Sequence, residues 1–106
     1  MPNELVIRKH FPNSFRETEL LDYLRKNKIE ELVVVGMMTH MCIDATVRAA
    51  VDLGFPCTVI DDACATRDLE INGLVVGALE VQHAFLAALA FFYAEVQDTE
   101  TYLERH

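Results

Sequence analysis

The sequence predicts an α/β domain with three layers, in which a parallel sheet lies between helices. Stretches with the composition of β-strands alternate with stretches of helical periodicity, and this alternation is typical of βαβ units with right-handed crossovers. One predicted strand, residues 32–35, is apolar at every position, which indicates helices on both of its faces. The chain of 106 residues has the length of one domain. We therefore expect a single three-layer α/β/α domain over residues 1–106, with a parallel sheet of about four strands.

Composition and charge narrow the classes of function. Hydrophobic residues make up 52% and charged residues 25% of the chain, as in an ordinary globular domain. The net charge of −8 would repel a nucleic acid or an anionic membrane. The longest apolar run, residues 84–93, is about half the length that crosses a bilayer. The charge and the short apolar run together predict no nucleic-acid partner and no membrane partner. The three cysteines cannot all pair and no signal peptide is visible, so we expect a cytoplasmic protein.

The N-terminal third of the chain predicts two strands and one helix. Residues 5–9 begin with a short aliphatic run and predict the first strand. From Thr18, which is a candidate N-cap, leucines recur at helical spacing and predict an amphipathic helix of about ten residues. Residues 32–35 form the second predicted strand, and Gly36 ends it.

The remaining elements follow the same alternation. Residues 42–53 carry apolar side chains at helical spacing and predict a second helix, and residues 58–60 predict a strand that leads into a polar loop. A helix over residues 77–93 is polar at so few positions that we expect the sheet and another subunit to cover it nearly all round. Residues 94–97 predict a short last strand, and residues 99–104 a short terminal helix.

Residues that follow parallel strands gather at one edge of the sheet, where open α/β sheets bind ligands. Here these residues are Lys9, residues 37–42 and residues 61–64. Cys42 lies where a loop turns into a helix, so the free N–H groups and the positive dipole end of that helix favour its thiolate. A nucleophilic Cys42 with Lys9 as its cationic partner is an arrangement typical of covalent catalysis. These residues do not include a general base. The alternative to these catalytic roles is that Cys42 is buried and inert and that Lys9 is a solvated surface lysine.

Three motifs surround this predicted edge. Residues 33–55 contain a strand, a G-x-x-T-x-x-C turn and a helix that carries T-x-R-A-A and ends in D-L-G-F. Residues 61–66 contain D-A-C-A, and Lys9 is followed by P-N-S-F at residues 12–15 and by T-x-L at residues 18–20. Together, from residue 6 to residue 92, these motifs resemble the isochorismatase-like cysteine hydrolases, a family with a Rossmann-like fold.

The resemblance implies hydrolysis of a C–N bond in a small amide, ureide or carbamoyl compound through a Cys thioester. Cys42 would be the nucleophile, and Lys9 would stabilise the thiolate and the reacting carbonyl. The N–H groups of Met38 and Cys42 would form the oxyanion hole, and the peptide bond between Met37 and Met38 would be cis. The resemblance implies no cofactor and no metal ligand in this chain.

Four further residues have open roles at the sequence level. His40 and Phe15 are candidate substrate contacts, and a plain loop role is the alternative for His40. Asp61 and Asp62 either accept backbone N–H bonds in their loop or substitute as the base.

The catalytic aspartate of the family lies at the end of its first strand, ahead of the part that this chain resembles. We therefore expect a domain that is incomplete at the N-terminus and an isolated chain with impaired activity. In the family's strand order of 3-2-1-4-5-6, residues 5–9 would be the third strand and residues 32–35 the fourth. The open edge that results would pair with another chain, so we expect a homo-oligomer, at least a dimer.

Two other functions compete with the hydrolase. One is a non-catalytic oligomeric or interaction domain derived from the same fold. The other is a thiol redox protein, which is disfavoured because Cys42 has no second cysteine at C-x-x-C spacing.

Overall fold

The computed structural model of the protein describes residues 4–105. The elements, in chain order, are α1 (Leu20–Lys26), β1 (Leu32–Met37), a π-helical turn (Thr39–Ile43), α2 (Asp44–Asp52), β2 (Cys57–Ala65), β3 (Leu69–Ile71), β4 (Leu74–Val76), α3 (Ala78–Phe92), β5 (Ala94–Gln97) and α4 (Thr99–Arg105). A parallel sheet has the order β1-β2-β5, and β3 and β4 form a separate antiparallel hairpin. The predicted α/β class, with a parallel sheet flanked by helices, is confirmed.

The core lies where α2 and α3 meet the central strand β2. Ile43, Val47 and Ala50 recur at helical spacing, so they form one apolar stripe on the side of the turn and α2 that faces the sheet. Val47 and Ala50 are fully buried, together with Val59 of β2 and Leu89 of α3. This packing holds α2, and with it the turn that precedes it, firmly against the sheet.

Strand β1 is an edge strand within residues 4–105, because it pairs there with β2 alone. Its side chains alternate between the two faces of the sheet, and Val33 and Val35 are 47% and 52% exposed. The expectation that helices cover both faces of this strand is therefore wrong for the chain alone. The helices around the core cover the face that carries Val34.

The C-terminal elements match their predictions closely. Helix α3, strand β5 and helix α4 lie where the apolar helix, the last strand and the terminal helix are predicted. The outer side of α3 is uncovered, with Leu79, Phe91 and Phe92 exposed at 66%, 90% and 74%. Cover by another subunit stays a prediction. Within residues 4–105, no helix is both long enough and apolar enough to cross a membrane.

The predicted strand over residues 5–9 is wrong. Residues 4–9 have no regular secondary structure and do not join the sheet, so the parallel sheet has three strands instead of about four. Leu5 and Val6 are 52% and 89% exposed. A strand needs a neighbour for its backbone groups and side chains, and the described part of the chain places none beside this segment.

The bounds of two elements also differ from the prediction, and one hairpin is additional to it. Helix α1 begins at Leu20 and is seven residues long, and Thr18 accepts the Leu20 N–H at 3.3 Å from just outside the helix. Strand β2 continues through the predicted polar loop as far as Ala65. The β3–β4 hairpin was missed, and its two turn residues, Asn72 and Gly73, have φ values of 51° and 78°.

Candidate active site

The nucleophile turn joins β1 to α2. The peptide bond between Met37 and Met38 is cis, as the resemblance predicts. The Met38 carbonyl accepts the N–H of Met41 at 3.0 Å and the N–H of Ile43 at 3.3 Å. The second bond spans five residues and makes the turn π-helical, a form that is frequent at functional sites. Cys42 therefore lies inside a π-helical turn ahead of α2, and the prediction of one helix over residues 42–53 is corrected.

A small cleft of about 180 Å³ beside this turn is lined by both predicted catalytic residues, Lys9 and Cys42. One wall is the end of β1, residues 34–37. Cys42 and Thr46 form a second wall, and Lys9 and Ser14 of the N-terminal segment form a third. Lys9 thus reaches the site of Cys42 although its segment is not a strand.

A larger cleft of about 530 Å³ lies at the opposite, amino ends of the strands and includes Glu31, Cys57 and Glu95. It contains neither Lys9 nor Cys42. Open parallel sheets bind ligands at the carboxyl ends of their strands, so the smaller cleft is the candidate site in spite of its size.

Two backbone carbonyls hold the Lys9 ammonium group. It donates to the Pro12 carbonyl at 2.8 Å and to the Phe11 carbonyl at 3.3 Å. An ammonium group has three N–H donors, and carbonyls are neutral acceptors. These contacts therefore orient the charge without neutralising it.

Thr46 joins residues 9–14, here called the lysine segment, to the helix that follows Cys42. Its Oγ1 accepts the N–H of Ser14 at 3.0 Å and lies 3.0 Å from the Ser14 hydroxyl and 3.2 Å from the Pro12 carbonyl oxygen. Thr46 is buried and follows Cys42 by one helical turn, so both residues lie on one side of the helix. Sequence reasoning noted Thr46 only as a motif letter, and its spacing from Cys42 was the signal that could have revealed it.

The opposite side of the turn is tied to α3 and β2. Thr39 is fully buried and donates to Gln82 Oε1 at 2.6 Å, and Gln82 Nε2 donates to the Asp61 carbonyl at 3.0 Å. The Nδ1 atom of His40 lies 2.8 Å from Thr66 Oγ1. Sequence reasoning missed the Thr39–Gln82 pair, which is formed between distant parts of the chain.

The two candidate substrate contacts have partners of their own. The His40 ring meets Phe85 edge-on at 5.9 Å, and the Phe15 ring stacks on Phe55 with centroids 6.4 Å apart. Neither His40 nor Phe15 is among the residues that line the cleft. Their contact with a substrate stays a prediction.

The two candidate carboxylates lie away from the cleft. Asp62 Oδ1 accepts the N–H and the hydroxyl of Thr99 at 2.9 and 2.6 Å, so it anchors the start of α4. Asp61 contributes its backbone carbonyl to the contact with Gln82. Among the described residues, those that line the cleft include no aspartate or glutamate. Within the same part of the chain, no group of three His, Cys, Asp or Glu side chains could hold a metal ion.

The three cysteines are free thiols in different surroundings. Burial raises the pKa of Cys57 to about 11. Burial also raises the pKa of Cys64, and the charge of Asp61 adds to this while a hydrogen bond with the Gly36 backbone opposes it. Both groups are therefore poor nucleophiles at neutral pH. Cys42 is half-buried and opens onto the cleft that it shares with Lys9.

Known proteins are similar to this chain over most of its length. The model of the isochorismatase domain matches residues 1–101. The isochorismatase family protein YddQ of Bacillus subtilis is 52% identical over 104 residues, which cover 98% of this chain and 58% of that protein. Nicotinamidase of Escherichia coli is 36% identical over 95 residues, which cover 86% of this chain and 41% of the enzyme.

The fold is also found in solved structures. The crystal structure of a cysteine hydrolase from Pseudomonas syringae matches with a TM-score of 0.94 and 26% identity, over 99% of this chain and 50% of that one. The chain thus spans about half the length of the relatives that it matches. From the domain match over residues 1–101, we conclude that the chain belongs to the isochorismatase family.

Proposed function

We propose that the chain carries the nucleophile and the cation of a cysteine hydrolase that cleaves a C–N bond in a small amide, ureide or carbamoyl compound. The observation that carries this proposal is the cleft shared by Lys9 and Cys42. The name of the Escherichia coli relative, nicotinamidase, supports an amide substrate, and the name of the Pseudomonas relative supports a cysteine mechanism.

In the proposed reaction, the Cys42 thiolate attacks the carbonyl carbon of the substrate. The C–N bond breaks, and the nitrogen leaves as ammonia or an amine after it takes up a proton. Water then cleaves the thioester, which releases the acid and returns the thiol. The Lys9 ammonium would stabilise the thiolate, and the N–H groups of Met38 and Cys42 would bind the developing oxyanion.

The proton of Cys42 needs an acceptor before the attack. No described aspartate or glutamate lines the cleft, so we expect residues 1–106 to turn over slowly when they are isolated. In the family that the chain resembles, an aspartate at the end of the first strand takes up this proton.

The proposal is tested by trapping the acyl-enzyme. The chain is incubated with nicotinamide, a carbamoyl amino acid and a ureido acid, and samples are quenched in acid for intact mass spectrometry and ammonia measurement. At least one compound should add its acyl group to Cys42. The Cys42→Ala variant should lose the adduct, and Cys57→Ala, the matched control, should keep it. An adduct that survives in Cys42→Ala, or is absent with every compound, would contradict the proposal.

A second candidate is a non-catalytic domain that binds a second copy of itself. Two observations favour it, the lack of a carboxylate among the described residues of the cleft and the exposed apolar side of α3. A chain that associates with itself but gives no adduct under the conditions above would fit this candidate.

A further inference from the structure

We propose that Thr46 is a positioning residue that sets the place of the Lys9 ammonium relative to Cys42. Its hydroxyl fastens the Pro12 carbonyl, which holds the ammonium, to the helix that follows the nucleophile. This inference rests on the proposed function, because it concerns the same pair of side chains.

The hydrogen-bonding capacity of Thr46 is fully used by the lysine segment. A hydroxyl group has one donor and two acceptor sites. The N–H of Ser14 occupies one acceptor site at 3.0 Å. In the contact of 3.0 Å between the two hydroxyls either oxygen can donate, so Ser14 fills the second site while Thr46 donates to the Pro12 carbonyl at 3.2 Å. With Thr46 only 8% exposed, water competes little for these contacts.

The Pro12 carbonyl oxygen is the point where the two parts of this arrangement meet. It accepts from Lys9 at 2.8 Å and from Thr46 at 3.2 Å, which uses both of its lone pairs. A displacement of this carbonyl would therefore displace the lysine ammonium.

Side-chain hydrogen bonds of this kind tie the irregular segment that carries Lys9 to α2. Residues 4–9 form no ladder with the sheet, so backbone pairing does not hold Lys9 in place. Helix α2, in contrast, is held by Val47 and Ala50, both fully buried. Thr46 thus connects the segment that carries Lys9 to a helix that is packed into the core.

The test compares one substitution that removes the Thr46 hydroxyl with one that keeps it. Thr46→Val keeps the shape of the side chain and removes the hydroxyl, whereas Thr46→Ser keeps the hydroxyl. The measurement is the rate of Cys42 alkylation by iodoacetamide between pH 5 and pH 10, resolved by peptide mass spectrometry. We expect Thr46→Val to slow labelling at pH 7 about threefold or more and to move the pH midpoint upward. Thr46→Ser should behave as the wild type.

The controls separate this inference from loss of folding and from the proposed function. Thr58→Val makes the same change on β2, away from the cleft lining, and should leave Cys42 labelling unchanged. Lys9→Met should slow Cys42 at least as much as Thr46→Val does. If Lys9→Met slows Cys42 and Thr46→Val does not, only the inference is overturned. If Lys9→Met has no effect, the pairing with Cys42 and the proposed function fall with it.

The substitutions at Thr46 and Lys9 leave the other titratable side chains near Cys42 in the sequence unchanged. His40 contacts Thr66 at 2.8 Å. Asp44 is paired with Arg48 at 3.0 Å, and this hydrogen bond raises the pKa of the guanidinium group. The variants alter none of these side chains, so a change in Cys42 labelling reports on the lysine segment.

A second measurement applies even if Thr46→Val does not fold. The Ser14 amide donates to Thr46, so it should exchange with deuterium more slowly in the wild type and in Thr46→Ser than an open loop amide of the same sequence context. A Ser14 amide that exchanges at the open-chain rate in the wild type would overturn the inference.

Discussion

Alkylation should separate the three cysteines by rate, with Cys42 labelled first and Cys57 last. Burial raises the pKa of Cys57 from the ordinary 9.0 to about 11. This difference of about two units lowers the thiolate fraction at neutral pH about a hundredfold, and only the thiolate reacts. Burial raises the pKa of Cys64 as well. Cys42 is half-buried and opens onto the cleft that Lys9 also lines, so we expect the reagent to reach this thiol first.

The assay uses a small excess of iodoacetamide at pH 6, 7 and 8, with N-acetylcysteine as a free-thiol reference in the same tube. Digestion and mass spectrometry then give one rate for each cysteine. Cys42 should react at least as fast as the reference, and Cys57 about a hundredfold more slowly than the reference. In concentrated urea the three rates should converge, because the difference arises from the fold. Faster labelling of Cys57 or Cys64 than of Cys42 at pH 6 would refute the assignment of the site.

Two predictions concern the core and the assembly. Leu89→Ala should lower the free energy of unfolding by about 2–5 kcal/mol, measured by urea denaturation, because Leu89 is fully buried. The same substitution at Leu103, which is 65% exposed, should change it by less than about 0.5 kcal/mol, and equal losses at the two sites would contradict the assigned core. The exposed side of α3 predicts self-association, so sedimentation at micromolar concentration should show at least a dimer. A stable, folded monomer under these conditions would contradict that expectation.

The elements that could be predicted from the sequence are those whose pattern is local. The long and almost wholly apolar stretch of α3 and the aliphatic run of β1 contain their own evidence, and the structure has both elements close to the predicted bounds. The β3–β4 hairpin also has a local signal, because Asn-Gly at residues 72 and 73 favours a two-residue turn with positive φ. It was missed although the signal is present.

The residues 5–9 show the limit of local patterns. An aliphatic run becomes a strand only where a neighbouring strand accepts its backbone groups, and the neighbour comes from a distant part of the sequence. Within residues 4–105 no strand lies beside this run, so it is irregular. The exposed face of β1 has the same origin, because burial depends on what packs against a strand and not on its composition.

For the candidate site, the sequence by itself determined which residues take part in the proposed chemistry. The order of the residues shows Lys9 and Cys42 and the turn that precedes α2. It also shows the motifs that resemble the family. Only the tertiary structure decided how they are held together, with Lys9 oriented by the Pro12 carbonyl and that carbonyl fastened to α2 by Thr46. The physical reason is that a hydrogen bond between residues more than thirty positions apart depends on where the folded core places them, and no local pattern of side chains encodes that distance.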